Sequence, residues 1–554
     1  MQKNPHRNHS DRADETVSGR ASALLGYTTR QTPQDVPAPG RGDQVPNSAG
    51  GHVFEVTPES RLDRFLVLGS DGGSYYATAA GLTEDNARFI LSDLQSRGRG
   101  VVDQIVAVSM AGRAPKNSPA LFALALAASH GEADTRRYAL GNLPKVARTA
   151  SHLFEFLAYL DNHRGWGRQV RDAVASWYLD RDAEAIAYQA VKYRHRSGYT
   201  HKRVLDKAHV ADAVGAHADV LRWARYGKAR DGVPAVIRQF REVAQCPERA
   251  VEVISRDGCQ LSWEMLPNEA LSVPAVWRGL IEADRIPVTA LIRQLTRLTR
   301  LGVFDDPEIS RTVAGRVTDV DRLARGRVHP VSVLVALRTY ASCEGAVPRI
   351  IDALNEAYMA AFGTLPGIDA RVAHAVDVSG SMHGSPFRGG PLTAAEVSAA
   401  MVCTGLKQNP DAHVWAFTGG QTEGGAWSRR SHIERFSGLS AGQRIDDAVD
   451  TLRSARWDGT ATDAAAPILH ALDNDIAVDT FIVYTDNETW AGEIHPYQAL
   501  RRYREATGID AKLVVMAMTS TGFTIADPED AGMLDVVGFD AAVPTVVADF
   551  VSGR

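Results

Sequence analysis

The chain has 554 residues, 44% of them hydrophobic and 23% charged, with a formal net charge of −5. That length exceeds one ordinary core, so two or more domains are expected from an ordinary soluble composition. The acidic balance excludes a protein that is basic over its whole surface, but leaves room for a local basic patch.

Residues 1–49 are rich in Gly, Pro, Ser, Asn and charge. Such a segment buries too little apolar surface to offset its ordering entropy, so a disordered tail is expected there. Residues 50–365 form the next unit, and from about 75 to 362 it reads as helix after helix. "PAVIRQFREVAQ", "VTALIRQLTRLTRLG" and "PRIIDALNEAYMAAF" carry apolar residues at three- and four-residue spacing. Gly, Pro and Asp punctuate the run without a strict repeat, which implies an irregular HEAT-like α-solenoid. Near "TLPGIDA" the character changes, and residues 366–554 alternate "RVAHAVDV", "AHVWAF", "DTFIVYT" and "AKLVVMAM" with helical stretches. That alternation means a Rossmann-like parallel sheet covered on both faces, with ligands at the carboxyl ends of its strands.

The first of these strands runs into "HAVDVSGSMHGS", which places Asp377, Ser379 and Ser381 at alternate positions of one loop. A carboxylate and two hydroxyls are oxygen ligands for a hard cation. "DGTATDAAAP" adds Thr460 and Thr462, of which Thr462 fits the spacing better, and "VYTDNET" ends a strand in Asp486. Together they form the pattern of a metal-ion-dependent adhesion site, so the C-terminal unit resembles a von Willebrand factor A domain. Mg²⁺ or another divalent cation is the expected cofactor; hydroxyls leave its charge largely uncompensated, so that a partner's carboxylate can complete the shell. The bland alternative is an Asp/Ser turn. Other chemistries lack their motifs: there is no GxxxxGK[ST] loop, no HExxH helix and no GxSxG elbow. Asp486 and Glu488 read as a ligand followed by a solvated helix start. The four cysteines form no CxxC pair, and neither a signal-peptide core nor an apolar run of the ~18 residues of a membrane span is found. A cytoplasmic protein with no membrane partner is expected.

"KYRHRSGYTHKRVLDKAH", 192–209, holds Lys192, Arg194, Arg196, Lys202, Arg203 and Lys207 against one acid, Asp206, with His201, His209 and two tyrosines interleaved. Lys192 and Arg196, four apart, are expected to share a helical face. A solvated helix face is the default for a charge run, but the near absence of acids favours nucleic-acid binding.

This stretch, with "GGHVFEVTPESRLDRFLVLGSDGGSYYA", "SWEMLPNEAL", "RVHPVSVLVALRTY", "AVDVSGSM" and "TDNETWAGEIHPYQALRRYR", is similar to the TROVE family over about residues 50–548. The resemblance implies a multidomain protein: an all-α HEAT-like ring closed by a von Willebrand A domain, monomeric in the sense that one chain completes the ring. It implies binding of a small noncoding Y RNA and of the 3′ ends of structured or misfolded RNA. Lys192, Arg196 and His209 match Y RNA contacts by position, and Arg194, His201, Lys202 and Lys207 lie in the same stretch. Asp377, Ser379, Ser381, Thr462 and Asp486 match the metal ligands. In bacterial members the RNA can tether the ring to polynucleotide phosphorylase. The insertion "MHGSPFRGGPLTA" and the "DGTATD" loop depart from the animal pattern. The expected function is therefore a noncatalytic RNA-binding scaffold in RNA quality control. A structured RNA is expected on the outer basic surface and a single-stranded tail in the hole, with Arg327 and His329 either lining it or capping a helix. The rivals are a metal-dependent protein-interaction adaptor with a peptide-binding solenoid, and a metal-dependent RNA hydrolase. The latter is disfavoured for want of a neighbouring base.

Overall fold

Local sequence starts and stops most of the helices that run from Pro58–Leu68 to Pro348–Ala360. Thr57, Thr149, Asp182, Thr200 and Asp319 each cap a helix by accepting a backbone N–H bond, and proline opens the helices Pro307–Thr318, Pro330–Ala341 and Pro348–Ala360. In Val288–Arg300 the buried residues Val288, Leu291, Ile292, Leu295 and Leu298 form one stripe, each side chain stabilising the packed state by about 1.5–3 kcal/mol. The computed structural model describes residues 31–70, 78–210, 215–228, 232–384, 387, 390–423, 426–428, 431–454 and 461–553.

The C-terminal unit is an α/β domain around a six-stranded sheet. Its order is Met533–Val537, Lys512–Ala517, Thr480–Thr485, Val372–Asp377, His413–Thr418, His432–Arg435, all parallel except the last. The central strands Val372–Asp377 and Thr480–Thr485 are buried along their whole length, as a sheet covered on both faces requires. Alternate residues serve different cores. Val372 and Val376 join the core shared with the helical unit, whereas Ala373 and Ala375 join a second one with Trp415, Phe481 and Leu500. The chain leaves Val372–Asp377 toward one edge and later builds the other from Thr480–Thr485. The switch point therefore lies between these two strands, and Asp377 and Thr485 sit at their carboxyl ends.

Residues 1–30 lie outside the described residues, but 31–49 are not the tail that composition implies. Gln44–Pro46 pairs with His52–Glu55, which pairs in turn with Phe523–Thr524. Gln34 is fully buried; its amide donates to Asp463 and to the Ile494 carbonyl. Arg41 binds Asp527, and Asn47 donates to the Thr489 carbonyl at 2.8 Å. Polar side chains, not an apolar stripe, anchor this arm. Gly51 is required beneath it, since a Cβ there would sit 1.8 Å from the Thr489 oxygen.

Both ends of the helical unit meet the α/β domain. In the first helix, fully buried Arg64 donates to Asp535 and to the carbonyls of Thr521 and Phe523. Gly538, at φ +87°, lets Val67 approach so closely that a Cβ would lie 2.4 Å away. Arg113 bridges Asp63 and Asp540. At the other end Asn355 accepts from the backbone N–H groups of Ile445 and Asp446, and Arg444 pairs with Asp352. His329 is a buried helix cap: its Nδ1 accepts from Val331 N, and its Nε2 lies 3.2 Å from the Arg113 carbonyl. Of the two readings for this residue the structure takes the cap.

Candidate metal centre and nucleic-acid interface

The switch point gathers the oxygen atoms of the metal motif. Asp377 is fully buried at its strand end; one carboxylate oxygen accepts from Ser379 N at 2.9 Å and the other from the Thr485 hydroxyl at 2.7 Å. Ser379 and Ser381 hydroxyls are 3.1 Å apart, and Ser381 bonds Asp486. Asp486 is held by the Glu488 N–H at 3.1 Å. Thr462 is buried, and its carbonyl accepts from Trp490 N and Ala491 N, so its loop is fastened to the one that follows Asp486. Thr460 lies outside the described residues. Thr485, which the motif did not single out, holds Asp377 in place; its only signal is a hydroxyl one residue before the strand-ending acid.

Burial pushes the Asp377 carboxyl up, and the neighbouring Asp486 charge adds to this; burial likewise raises Asp486. Neither carboxylate has an ion pair among the described residues. Glu488 is a third buried acid, raised to about 8 by burial and then by Asp486; it sits in a loop and accepts from Ala49 N, and is not the solvated helix start that the sequence implies. Buried acids that repel one another, with hydroxyls beside Asp377 and Asp486 and, among the described residues, no ion pair to either, are a donor set suited to a hard divalent cation. The residues present fit the group. An acidic cluster formed by Asp43, Asp527 and Glu529 does not compete as a metal site, because Arg41 already occupies it.

The basic stretch folds differently from the expectation. Its first helix ends at Lys192; His195–Arg196 and Tyr199–Thr200 then form a hairpin, and a second helix spans His201–Ala208. Lys192 and Arg196 therefore do not share a helical face. The turn residues Ser197 and Gly198 have φ of +50° and +76°, the conformation of a type I′ turn. Arg194, Arg196, Lys202, Arg203 and His209 are exposed. Lys192 is not: its ammonium pairs with Glu264 at 2.9 Å and lies near the rings of Tyr188 and Tyr193. Burial lowers its pKa, but the tyrosines and Glu264 more than offset this, and the net direction is up. Lys207 pairs with Asp161 and sits over Trp166 and Tyr199. The acids missing from the stretch itself are supplied by distant segments.

His201 is buried, with its two ring nitrogens 2.9 Å from the Tyr178 hydroxyl and 3.0 Å from the Tyr193 carbonyl. Burial pushes it down to about 4, so it is a neutral strut under the hairpin and faces no ligand. Two further guanidinium groups, Arg148 and Arg327, continue from Arg196 past a neutral histidine. His152 is pushed down to about 4 by burial and then by Arg148 and Arg196, and Arg148 in turn feels Arg327.

The Ro60 von Willebrand A (vWA) domain model matches residues 371–551, and the TROVE domain model matches 45–234 and 259–346. The chain belongs to the Ro60 family. It is 38% identical to the RNA-binding protein RO60 of Deinococcus radiodurans, over 92% of this chain and 96% of the relative. Against the RNA-binding protein RO60 of Caenorhabditis elegans the identity is 33%, over 92% and 90%. The crystal structure of the Deinococcus radiodurans RO (RSR) protein superposes with a TM-score of 0.66 at 36% identity, covering 90% of this chain and all of that one. The hairpin and the metal motif both fall inside the matched segments. The helix Ala235–Gln245 falls between the two segments that the TROVE model matches.

Proposed function

We propose that this chain binds RNA and does not catalyse its turnover. The observation that carries the reading is the exposed set Arg194, Arg196, Lys202, Arg203 and His209, displayed by the hairpin and the helix His201–Ala208 that follows it, with His201 buried beneath. Cationic and polar groups crowded on one short surface, with no salt bridge among the described residues, suit a phosphate backbone. The preferred ligand is a small stem-containing noncoding RNA of the Y RNA type. The guanidinium groups of Arg196, Arg148 and Arg327, linked past the neutral His152, support a second path, for a single-stranded 3′ end of misfolded or structured RNA.

In the same reading one chain closes into a ring, with the vWA domain seated between the two ends of the helical unit. Asp377, Ser379, Ser381, Thr462 and Asp486 would hold Mg²⁺ or a similar cation. Bound there, the cation would supply an open electropositive position for an acidic group of a partner. RNA leaving the ring is passed to an exoribonuclease such as polynucleotide phosphorylase. The cytoplasm is the proposed site of action, which suits four cysteines that are all unpaired.

The test is Arg194→Ala with Arg196→Ala, assayed with a stem-containing RNA at several salt concentrations. Affinity falls more than tenfold, and the salt slope shrinks by roughly 0.7–0.9 for each phosphate that is no longer neutralised. Wild-type binding by the double variant refutes the assignment.

A further inference from the structure

The two loops that carry Thr462 and Asp486 are joined to each other by the arm at the opposite end of the chain. Gln34 is fully buried, and its amide bonds both loops. Nε2 donates to Oδ1 of Asp463, the neighbour of Thr462, at 2.7 Å, and to the Ile494 carbonyl at 2.8 Å. Oε1 accepts from the hydroxyl of Thr489, in the loop after Asp486, and that hydroxyl also accepts from Ala464 N at 3.1 Å. The Gln34 backbone N–H donates to the Gly492 carbonyl at 2.9 Å. A Cβ on Gly492 would lie 2.2 Å from Gln34 Nε2 and 2.3 Å from the Asp463 carboxylate, so the loop has room for this amide only because a glycine stands there.

Asn47 braces the second loop again. Its Nδ2 donates to the Thr489 carbonyl at 2.8 Å and to the Asn487 carbonyl at 3.3 Å, and its Oδ1 accepts from Gly51 N at 2.7 Å. Ala49 N reaches the Glu488 carboxylate at 3.0 Å. Asn487, Glu488 and Thr489, which follow Asp486 directly, are thus each bonded by the arm. Asn487 stands at φ +67°, a conformation that a residue other than glycine keeps when its surroundings impose it. None of these bonds is needed to pair the arm with its own sheet. Gln44–Pro46, His52–Glu55 and Phe523–Thr524 are joined through their backbones. What the two amides add is a tie between the loops whose placement sets the distance from Thr462 to Asp486. Removing either amide leaves buried donors and acceptors on those loops unmet.

We propose that Gln34 and Asn47 are positioning residues of the candidate metal centre, and that seating of the arm 31–51 is coupled to cation occupancy. The inference rests on the metal-site reading. Both side chains bond the neighbours of Thr462 and Asp486, so they act through the placement of that hydroxyl and that carboxylate. Coupling of this kind is reciprocal: a cation that holds the two loops together secures the arm by the same factor by which a seated arm tightens the cation.

Calorimetry of the full chain with Mg²⁺, and amide exchange over 31–51 with and without Mg²⁺, test this. The variants are Gln34→Met, which keeps the volume and removes the bonds, and Asn47→Ala. Arg41→Ala is the control, because it breaks the pair with Asp527 in the same arm and bonds neither loop in the contacts described. Gln34→Met and Asn47→Ala should each weaken Mg²⁺ about fivefold or more, and Arg41→Ala should stay within about twofold of wild type. Mg²⁺ should slow exchange in 31–51 of wild type and do so far less in Gln34→Met. Circular dichroism checks that each variant is folded; should Gln34→Met not be, Asn47→Ala and the wild-type exchange decide. Wild-type Mg²⁺ affinity in the amide variants, or arm exchange that ignores Mg²⁺, overturns the proposal alone. An equal loss in Arg41→Ala overturns the assignment to these two amides. Wild type that takes up no Mg²⁺ overturns the metal-site reading and this inference together.

Discussion

Single side chains in this protein take their roles from partners far away in sequence. Glu264 removes Lys192 from the binding surface, and Asp161 restrains Lys207. Burial makes neutral struts of His152, His201 and His374, each pushed down to about 4 from 6.5. The consequence for stability has a definite sign. The folded pKa is depressed, so each imidazole contributes stability that is fully present above pH 6.5 and is lost as pH falls through about 4. Within that window the loss is roughly 1.4 kcal/mol per pH unit for each group. The raised acids Asp377 and Asp486 work in the opposite direction, because they take up protons while folded. Histidine NMR titration should show three imidazoles that stay neutral at pH 5, and Tm should drop between pH 7 and 5. If every histidine signal moves near 6.5, the struts are solvated. At the candidate metal centre, Asp377→Ala removes a proposed ligand and the acceptor of Ser379 N and the Thr485 hydroxyl together. Mg²⁺ binding by calorimetry should disappear while helical content stays constant; unchanged affinity refutes the ligand assignment.

At the scale of elements, the turn of the basic hairpin is the sensitive point. Ser197 and Gly198 both occupy the left-handed region, where a β-branched side chain costs about 1–2 kcal/mol and asparagine is tolerated. Gly198→Val should therefore shift the strand His195–Arg196 and the adjoining Arg194 and weaken a stem-containing RNA severalfold, with Mg²⁺ binding unaffected. Gly198→Asn should bind like wild type; equal RNA affinity for the valine and asparagine variants would show that the hairpin's shape is irrelevant. The "SG" dipeptide was a legible turn signal, but the surrounding charge periodicity reads as helix and hides it. The inner parallel strands were legible because burial on both faces writes continuous apolar runs, and "DVSGS" was legible because a carboxylate follows such a run. The edge strands His432–Arg435 and Met533–Val537 are only partly buried and carry no such run. The arm 31–49 was illegible for another reason. Gln34, Arg41 and Asn47 anchor it, and composition scores these residues as solvent-seeking whatever they bind.

For the whole molecule, the proposed ring depends on two seams of very different strength. Arg444 and Asp352 are about half exposed, with side-chain exposures of 41% and 58%, and such a pair contributes ~0–1 kcal/mol. Arg64 is fully buried and makes a two-oxygen contact with Asp535 while satisfying the Thr521 and Phe523 carbonyls. Removing one partner of a buried pair costs about 3–5 kcal/mol, and Asp535, 12% exposed, would be left with little water to replace the guanidinium. Arg64→Met keeps the volume and removes the charge. It leaves Asp535 only the Thr524 hydroxyl among the bonds described, at 2.8 Å. Amide exchange should accelerate in 58–68 and 521–540, while Mg²⁺ binding, carried by strands farther into the sheet, is retained. If a single-stranded tail is held through an enclosed path, the variant should also lose its preference for a 3′-tailed hairpin over a blunt one, whereas Arg444→Ala keeps it. The blunt hairpin serves as the control: in the proposed reading it docks on the outer surface, so its affinity should not change in either variant. Faster exchange with the tailed preference intact would separate the seam from RNA binding and show that the single strand needs no closed ring.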